Sequence, residues 1–287
     1  MKKKTISIII LAFYFFTVLV IPAFASTNYN HTSNYQEMNE YDILKTYQSL
    51  SDTKLQAMGY SNSDIQELRS FSLEESIYER SLLPTNELIK MGYTNEQIAI
   101  LREYNGEEIT PNSDVYALLA TMSTYIGKTS LTSTKAQLYY SWSWSVLPTF
   151  TGTDAFAVSW LGADANSYPI TMVKTASSAY VNYYIGSIYS TTTNLSTNTS
   201  INTLKSSDFP MKKSDGSWAK VGELSFTIQP GSGSSNLYSV EVQGAYAHST
   251  ATFTGSIGIS ATGTLAFSFT PSNKITEYGE TYRHFRR

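Results

Sequence analysis

Apolar and polar side chains alternate without a break in two stretches of this chain. A period of two is what a β-strand shows when one face is buried and the other is wet. In the first stretch, Ala136, Leu138, Tyr140, Trp142, Trp144 and Val146 alternate with Gln137, Tyr139, Ser141, Ser143 and Ser145. The pattern predicts a strand with Trp142 and Trp144 facing inward. In the second, residues 250–269, the odd positions Ala251, Phe253, Gly255, Ile257, Ile259, Ala261, Gly263, Leu265, Phe267 and Phe269 are all apolar or glycine. The even positions are Ser or Thr except Gly258 and Ala266. As one straight strand this would run about 66 Å at ~3.3 Å per residue, too long for an ordinary sandwich. A two-residue hairpin loop would reverse the phase, which never slips. The alternation therefore predicts either a long bent strand or a hairpin with a loop of three or five residues near Gly258 to Thr262.

Further strands are expected at 154–161, 170–175, 179–189, 218–228, 237–247 and beyond 249. Turn residues separate them: Pro148, Gly152, Pro169, Asp215-Gly216 and "PGSGSSN" at 230–236. Seven to nine short strands predict an antiparallel β-sandwich, jelly-roll-like, over 115–282. Residues 115–126, "VYALLATMSTYI", fit a last helix or a first strand.

Before that point the period changes to that of a helix. Over 41–108 apolar residues recur at spacings of three and four, as in Ile65, Leu68, Phe71 and Ile98, Leu101, Tyr104. Two segments here are near copies, "AMGYSNSDIQELRSF" at 57–71 and "KMGYTNEQIAILREY" at 90–104. Gly59 and Gly92 follow an apolar helical stretch, where a helix ends in a left-handed residue. Ser61 and Thr94 stand three residues before Asp64 and Gln97, the spacing of a capping box. Tyr60 and Tyr93 precede those caps and can staple onto Ile65 and Ile98. The expected class is thus α+β in two modules, a helical-hairpin repeat followed by the sandwich. "NGEEITPNSD" marks the passage between them, with the linker at 109–114.

The Met-Gly-Tyr turn also resembles the MGF/MGY loop of ubiquitin-associated domains, over about a dozen residues per copy. In that family the loop binds ubiquitin. The alternation at 250–269 resembles the membrane-inserting hairpin of aerolysin-type pore-forming toxins. That resemblance implies apolar side chains toward lipid and Ser or Thr toward a water channel. A wetted sandwich hairpin would show the same alternation.

The start of the chain changes where the protein is expected to work. Lys2, Lys3 and Lys4 precede an apolar run from Ile6 to Val20, then Pro22 and Ala23-Phe24-Ala25. This is the build of a secretory signal cleaved after Ala25, and it predicts a secreted, extracellular protein. Residues 26–40 are polar and aperiodic and read as a flexible leader. The chain has no Cys, so neither disulfides nor a lipid-modified Cys are expected, a habit of exported Gram-positive proteins.

Charge divides the chain as periodicity does. Residues 37–114 carry 15 acids and 6 bases, net −9, whereas 115–287 carry 8 acids and 11 bases, net +3. The opposite signs favour docking of one module on the other. A strongly basic face is missing, so no nucleic acid is expected as partner. Residues 283–287 read as a basic tail.

Candidate chemistry is sparse. No HExxH, GxSxG, Cys nucleophile, EF-hand loop or P-loop occurs, and no metal or cofactor is implied. The three His are His31 in the leader, His248 in a strand region and His284 in the tail. His248 is expected on a solvent face or an edge. If the protein is an enzyme, paired carboxylates of a glycoside hydrolase are the available machinery, with Glu223 and Glu241 on adjacent strands. Aromatic platforms suit recognition better, because sugar rings stack on them. "VNYYIGSIY" at 181–189 carries Tyr in both phases. Tyr183, Tyr189 and Trp218 are the expected ligand-binding surface. The function these features predict is recognition outside the cell, with a cell-surface glycan or a protein as partner. The alternative is a β-pore-forming toxin or bacteriocin-like protein that inserts 250–269 into a membrane.

Overall fold

The computed structural model describes residues 35–57, 60–200, 202–249, 259–262, 266–269 and 275–287, and from 249 to 280 the backbone alone. The expected signal, His31, Met58-Gly59 and, in the second alternating stretch and just after it, 250–258, 263–265 and 270–274 lie outside those residues.

The chain opens with strand β1 (Tyr35–Asn39) and runs through six helices: α1 (Glu40–Ser49), α2 (Asp52–Ala57), α3 (Asn62–Ser70), α4 (Leu73–Ser81), α5 (Thr85–Lys90) and α6 (Asn95–Glu103). A 3-10 turn at Tyr116–Leu118 leads into β2 (Thr121–Leu131), β3 (Ala136–Trp144), β4 (Thr153–Ala163), β5 (Pro169–Ile170) and β6 (Met172–Ile185). There follow β7 (Ile188–Leu195), β8 (Thr197–Ser200), β9 (Thr203–Ser206), β10 (Phe209–Pro210), β11 (Trp218–Pro230) and β12 (Ser239–Ser249). The last strands are β13 (Ile259–Thr262), β14 (Ala266–Phe269) and β15 (Ile275–Arg286).

Two antiparallel sheets result, sandwich-like, one in the order β1-β2-β3-β11-β6-β7 and the other β15-β12-β4-β9-β8, with β5 and β10 also on β4. Their facing sides carry the inward phases of the predicted strands. Trp142 of one sheet meets Phe156 and Tyr246 of the other at ring-centre distances of 5.8 and 4.8 Å. Trp160 meets Phe226 at 5.3 Å. Trp142 and Trp144 are buried, in the phase their alternation requires.

The helices are not a separate leading module. Strand β1 pairs with β2 from Tyr35↔Tyr125 to Asn39↔Thr121, so residues 40–120 form an insertion between two neighbouring strands. This corrects the reading of 26–40 as a leader, at least for its last residues. The strand was hidden because it lies at a sheet edge and carries a single apolar residue, Met38, toward the core. The basic tail is corrected likewise. Arg283, His284 and Arg286 belong to β15 and pair with Val242, Glu241 and Ser239, while Phe285 between them is buried.

Local capping follows the sequence. Ser61 and Thr94 both close capping boxes, with Asp64 and Gln97 reaching back to the cap N–H groups at 3.0 and 2.9 Å. Gly92 has φ +100° after α5, as a left-handed helix stop does. Tyr93, Ile98 and Leu101 join one apolar core that continues from the helices into the sandwich, whereas Leu55, Tyr60 and Ile65 form a small cluster of their own.

The 250–269 stretch contains a hairpin. Strands β13 and β14 pair antiparallel, Ile259↔Phe269 to Thr262↔Ala266, so the reversal follows Thr262 and the expected loop position near Gly258 to Thr262 is corrected: 259–262 are strand. An odd loop preserves the phase, as the unbroken alternation demands.

Candidate functional site

The helical insertion covers one end of the sandwich, where the β3–β4 connection, the start of β11, the β6–β7 turn and the end of β12 converge. Charged side chains are buried at this joint. Glu40 opens α1, whose N-cap Asn39 accepts from the Tyr41 N–H at 2.8 Å. Its carboxylate turns inward and accepts the Thr149 N–H at 2.8 and 3.0 Å and the Phe150 N–H at 3.4 Å. Arg80, in the last turn of α4, donates to the Leu147 carbonyl and the Tyr93 hydroxyl at 3.0 Å each and to Thr149 Oγ1 at 3.4 Å. Phe71, just past α3, packs on Phe150 with ring centres 4.9 Å apart. The β3–β4 connection is thus held from the helical side by two opposite charges and a ring.

From the sandwich side come Asp154 at the head of β4 and His248 at the end of β12, both 0% exposed. Imidazole Nδ1 lies 2.9 and 3.0 Å from the two Asp154 carboxylate oxygens. The Tyr246 hydroxyl also donates to Asp154, and in turn accepts from Trp144 Nε1 at 3.3 Å. The Trp144 ring lies 5.5 Å from the imidazole.

The electrostatics follow from burial and pairing. Burial alone would lower the His248 pKa. The Asp154 charge and hydrogen bond and the Glu40 charge outweigh it, and the pKa is raised. Burial pushes the Glu40 carboxyl upward against the pull of Arg80 and His248. Burial, then the Asp154 charge, drives the Tyr246 phenol well above its ordinary value. With His248 protonated the cluster holds two cations and two anions, the balance a buried charge set requires. Asp154 and His248 have the acid–base pairing of a catalytic triad, but both are closed off from solvent. Their geometry suits holding a joint together.

A second joint lies at the C-terminal end of α5, whose last carbonyls have no partner within the helix. The Lys90 carbonyl accepts from Trp218 Nε1 at 3.0 Å and from the Gly186 N–H at 2.7 Å. The Met91 carbonyl accepts the Leu147 N–H at 2.8 Å. A Cβ at Gly92 would stand 3.1 Å from Trp218 Cζ2, so the Met-Gly-Tyr corner of the second copy lies against the indole.

Two of the three residues expected as a ligand platform are therefore corrected. Trp218 is fully buried under the α5 corner. Tyr183 is also 0% exposed, because it shares the inward phase of Ala179 and Val181; its hydroxyl donates to the Pro210 carbonyl at 2.9 Å, and the Lys213 ammonium lies 3.7 Å from its ring centre. Tyr189 alone is exposed, at 54%, beside Tyr184. Glu223 and Glu241 do not face each other. Strand β11 pairs with β3 and β6 whereas β12 pairs with β4 and β15, so the two carboxylates sit on different sheets, each in the outward phase. His248 is corrected from a solvent or edge position to a fully buried one. The cluster of Glu40, Arg80, Asp154 and His248 had one faint trace in sequence. Asp154 heads the run "DAFAVSW", apolar after it except for Ser159, a place where strands seldom carry Asp.

No protein-family model matches the chain, and no curated protein matches it in sequence. Among solved structures it has a likeness to AvmM, described as catalysing macrocyclization in alchivemycin A biosynthesis. The identity is 6% and the TM-score 0.30, over 57% of this chain and 87% of that one. At that score the likeness carries neither fold nor activity across.

Proposed function

We propose that the protein is exported and acts on membranes, with residues 250–269 forming a β-hairpin that crosses the bilayer and lines a pore together with copies from other chains. The supporting observation is the register of β13 and β14. Ile259 opposite Phe269 and Ala261 opposite Phe267 share one phase, and Ser260 opposite Ser268 takes the other. A hairpin between lipid and a water channel needs that division, and about 9–11 residues per arm. The chain from 250 to 274 supplies roughly that length, entered from the pair Ser249↔Ile275 that ends β12 and begins β15. Export rests on the signal pattern that ends at Ala25. The two Met-Gly-Tyr segments are best taken as copies of one helical hairpin, and the sheets as a jelly-roll variant.

The test is dye release from liposomes by the full chain. Leakage is expected at micromolar protein, and Phe267→Asp should abolish it while the circular dichroism of the soluble form is unchanged. No leakage from any lipid mixture, or leakage indifferent to Phe267→Asp, would overturn the proposal.

A second reading keeps recognition of a carbohydrate or a protein. It is favoured by a surface groove of about 820 Å³ lined by Trp160, Ile170, Met172, Lys174 and Asn202. A glycan array read with wild type and Ile170→Asp tests it. A signal that both proteins share, or none, removes it.

A further inference from the structure

We propose that Glu40, Arg80, Asp154 and His248 form a proton-dependent latch, which holds the helical insertion on the end of the sandwich where β12 ends and β15 begins and opens when one proton leaves.

The four groups come from four elements. Glu40 is on α1, Arg80 on α4, Asp154 on β4 and His248 on β12. Two of them meet the same short connection, Glu40 through the N–H groups of Thr149 and Phe150 and Arg80 through Leu147 and Thr149, and the Glu40 charge also acts on His248. His248 is also the residue before Ser249, where the described part of β12 ends. The helices and the base of the hairpin are therefore tied at one point.

The other titratable groups around this point are phenols. Tyr246 and Tyr140 are buried and pushed upward, as is Tyr183, while the Tyr93 hydroxyl accepts from Arg80. Near neutral pH the latch titrates through His248 and Glu40, both raised. Removing the imidazole proton leaves two carboxylates against one guanidinium in a space that water does not reach, and an uncompensated buried charge is strongly unfavourable. The His248 pKa is raised in the folded state, so its stabilisation is complete below the unfolded value near 6.5 and is lost as pH rises through the folded value. Glu40 is raised too, so its contribution has the same sign and fades as pH rises through its own folded value. The latch is closed in mild acid and opens toward alkali.

This deepens the membrane reading, since an open latch would free the base of the hairpin, but the latch is measured without any membrane. Hydrogen exchange of the full chain, corrected for the intrinsic pH dependence of exchange, reads it directly. Protection of α1 and α4 should fall as pH rises from below the ordinary imidazole value of about 6.5 into the alkaline range, with β3 and β11 unchanged. In Glu40→Gln, which removes a carboxylate that favours the imidazolium, the midpoint should move to lower pH. In His248→Gln protection should be low and flat with pH. Constant protection of α1 and α4 in the wild type overturns the latch without recourse to a variant, and so does a midpoint that Glu40→Gln leaves in place. Absence of liposome leakage at every pH, with the protection step intact, removes the membrane reading and keeps the latch.

Discussion

The indole nitrogen of Trp218 donates to the backbone carbonyl of Lys90 across 3.0 Å, joining the first residue of β11 to the last residue of α5. A side chain that aromatic composition alone would place on a binding surface instead ends a helix. Replacing it removes both a fully buried ring and a helix-terminal donor. Trp218→Ala is expected to lower stability by about 3–5 kcal/mol, and Trp218→Phe by less, because much of the apolar contact survives. Urea unfolding of both variants checks this. A loss below about 1 kcal/mol for the alanine variant would show that the joint contributes little.

Gly92 and Gly216 separate space from backbone conformation. Both have positive φ, +100° and +84°, but a Cβ at Gly92 meets Trp218 at 3.1 Å while one at Gly216 has nothing within 4 Å. Gly216→Ala is expected to cost about 1 kcal/mol from the left-handed backbone alone, and Gly92→Ala to exceed it within the ~1–3 kcal/mol that such strain commonly costs. Thermal or urea unfolding of the pair settles the order, and equal losses would mean that the indole gives way freely.

The Asp154–His248 pair predicts a destabilisation that depends on pH. Asp154→Asn leaves the buried imidazole without its anion, and breaking such a pair costs about 3–5 kcal/mol. The loss should be large near pH 6, where the wild-type His248 is protonated in the folded state. It should shrink well above the raised folded pKa, where the imidazole is neutral with or without Asp154. Denaturant unfolding of variant and wild type at the two pH values gives the comparison. Equal losses at both would mean that the pair is not held as ions.

The capping boxes should differ in reach. Ser61 caps α3, which packs with the small Leu55, Tyr60 and Ile65 cluster, while Thr94 caps α6, whose Ile98 and Leu101 belong to the main core. Each cap lost to Ala costs about 1 kcal/mol locally. Thr94→Ala is expected to shift the global unfolding midpoint. Ser61→Ala is expected to speed amide exchange within α3 and leave that midpoint nearly in place.

What could be read from sequence follows how much apolar signal each element carries. Strand β3 alternates strictly, and its inward face was legible down to Trp142 and Trp144. Both N-caps were legible because Ser61 and Thr94 act within three residues of themselves. Strands β7 and β8 were not, because "IYSTTTNL" and "TNTS" are edge segments of Thr, Ser and Asn with little to bury. Pairing order was not legible either. Strand β11 enters between β3 and β6, so Glu223 and Glu241 ended on different sheets although their strands follow one another in the chain. The buried charges were hardest to see, since Glu40, Arg80, Asp154 and His248 are far apart in sequence and each alone resembles an ordinary surface residue.

Asn39 stands opposite Thr121, and the Glu40 N–H donates to the Ala120 carbonyl at 2.9 Å, so the chain leaves the sheet and returns to it at the same rung. An excursion of that kind is a cassette. Both its ends are pinned by one rung of the β1–β2 ladder, so a change of length inside it does not by itself slip the register of either flanking strand. The same geometry delays assembly, because the edge strand made first in synthesis has no neighbour until the intervening helices have been made and have drawn its partner alongside.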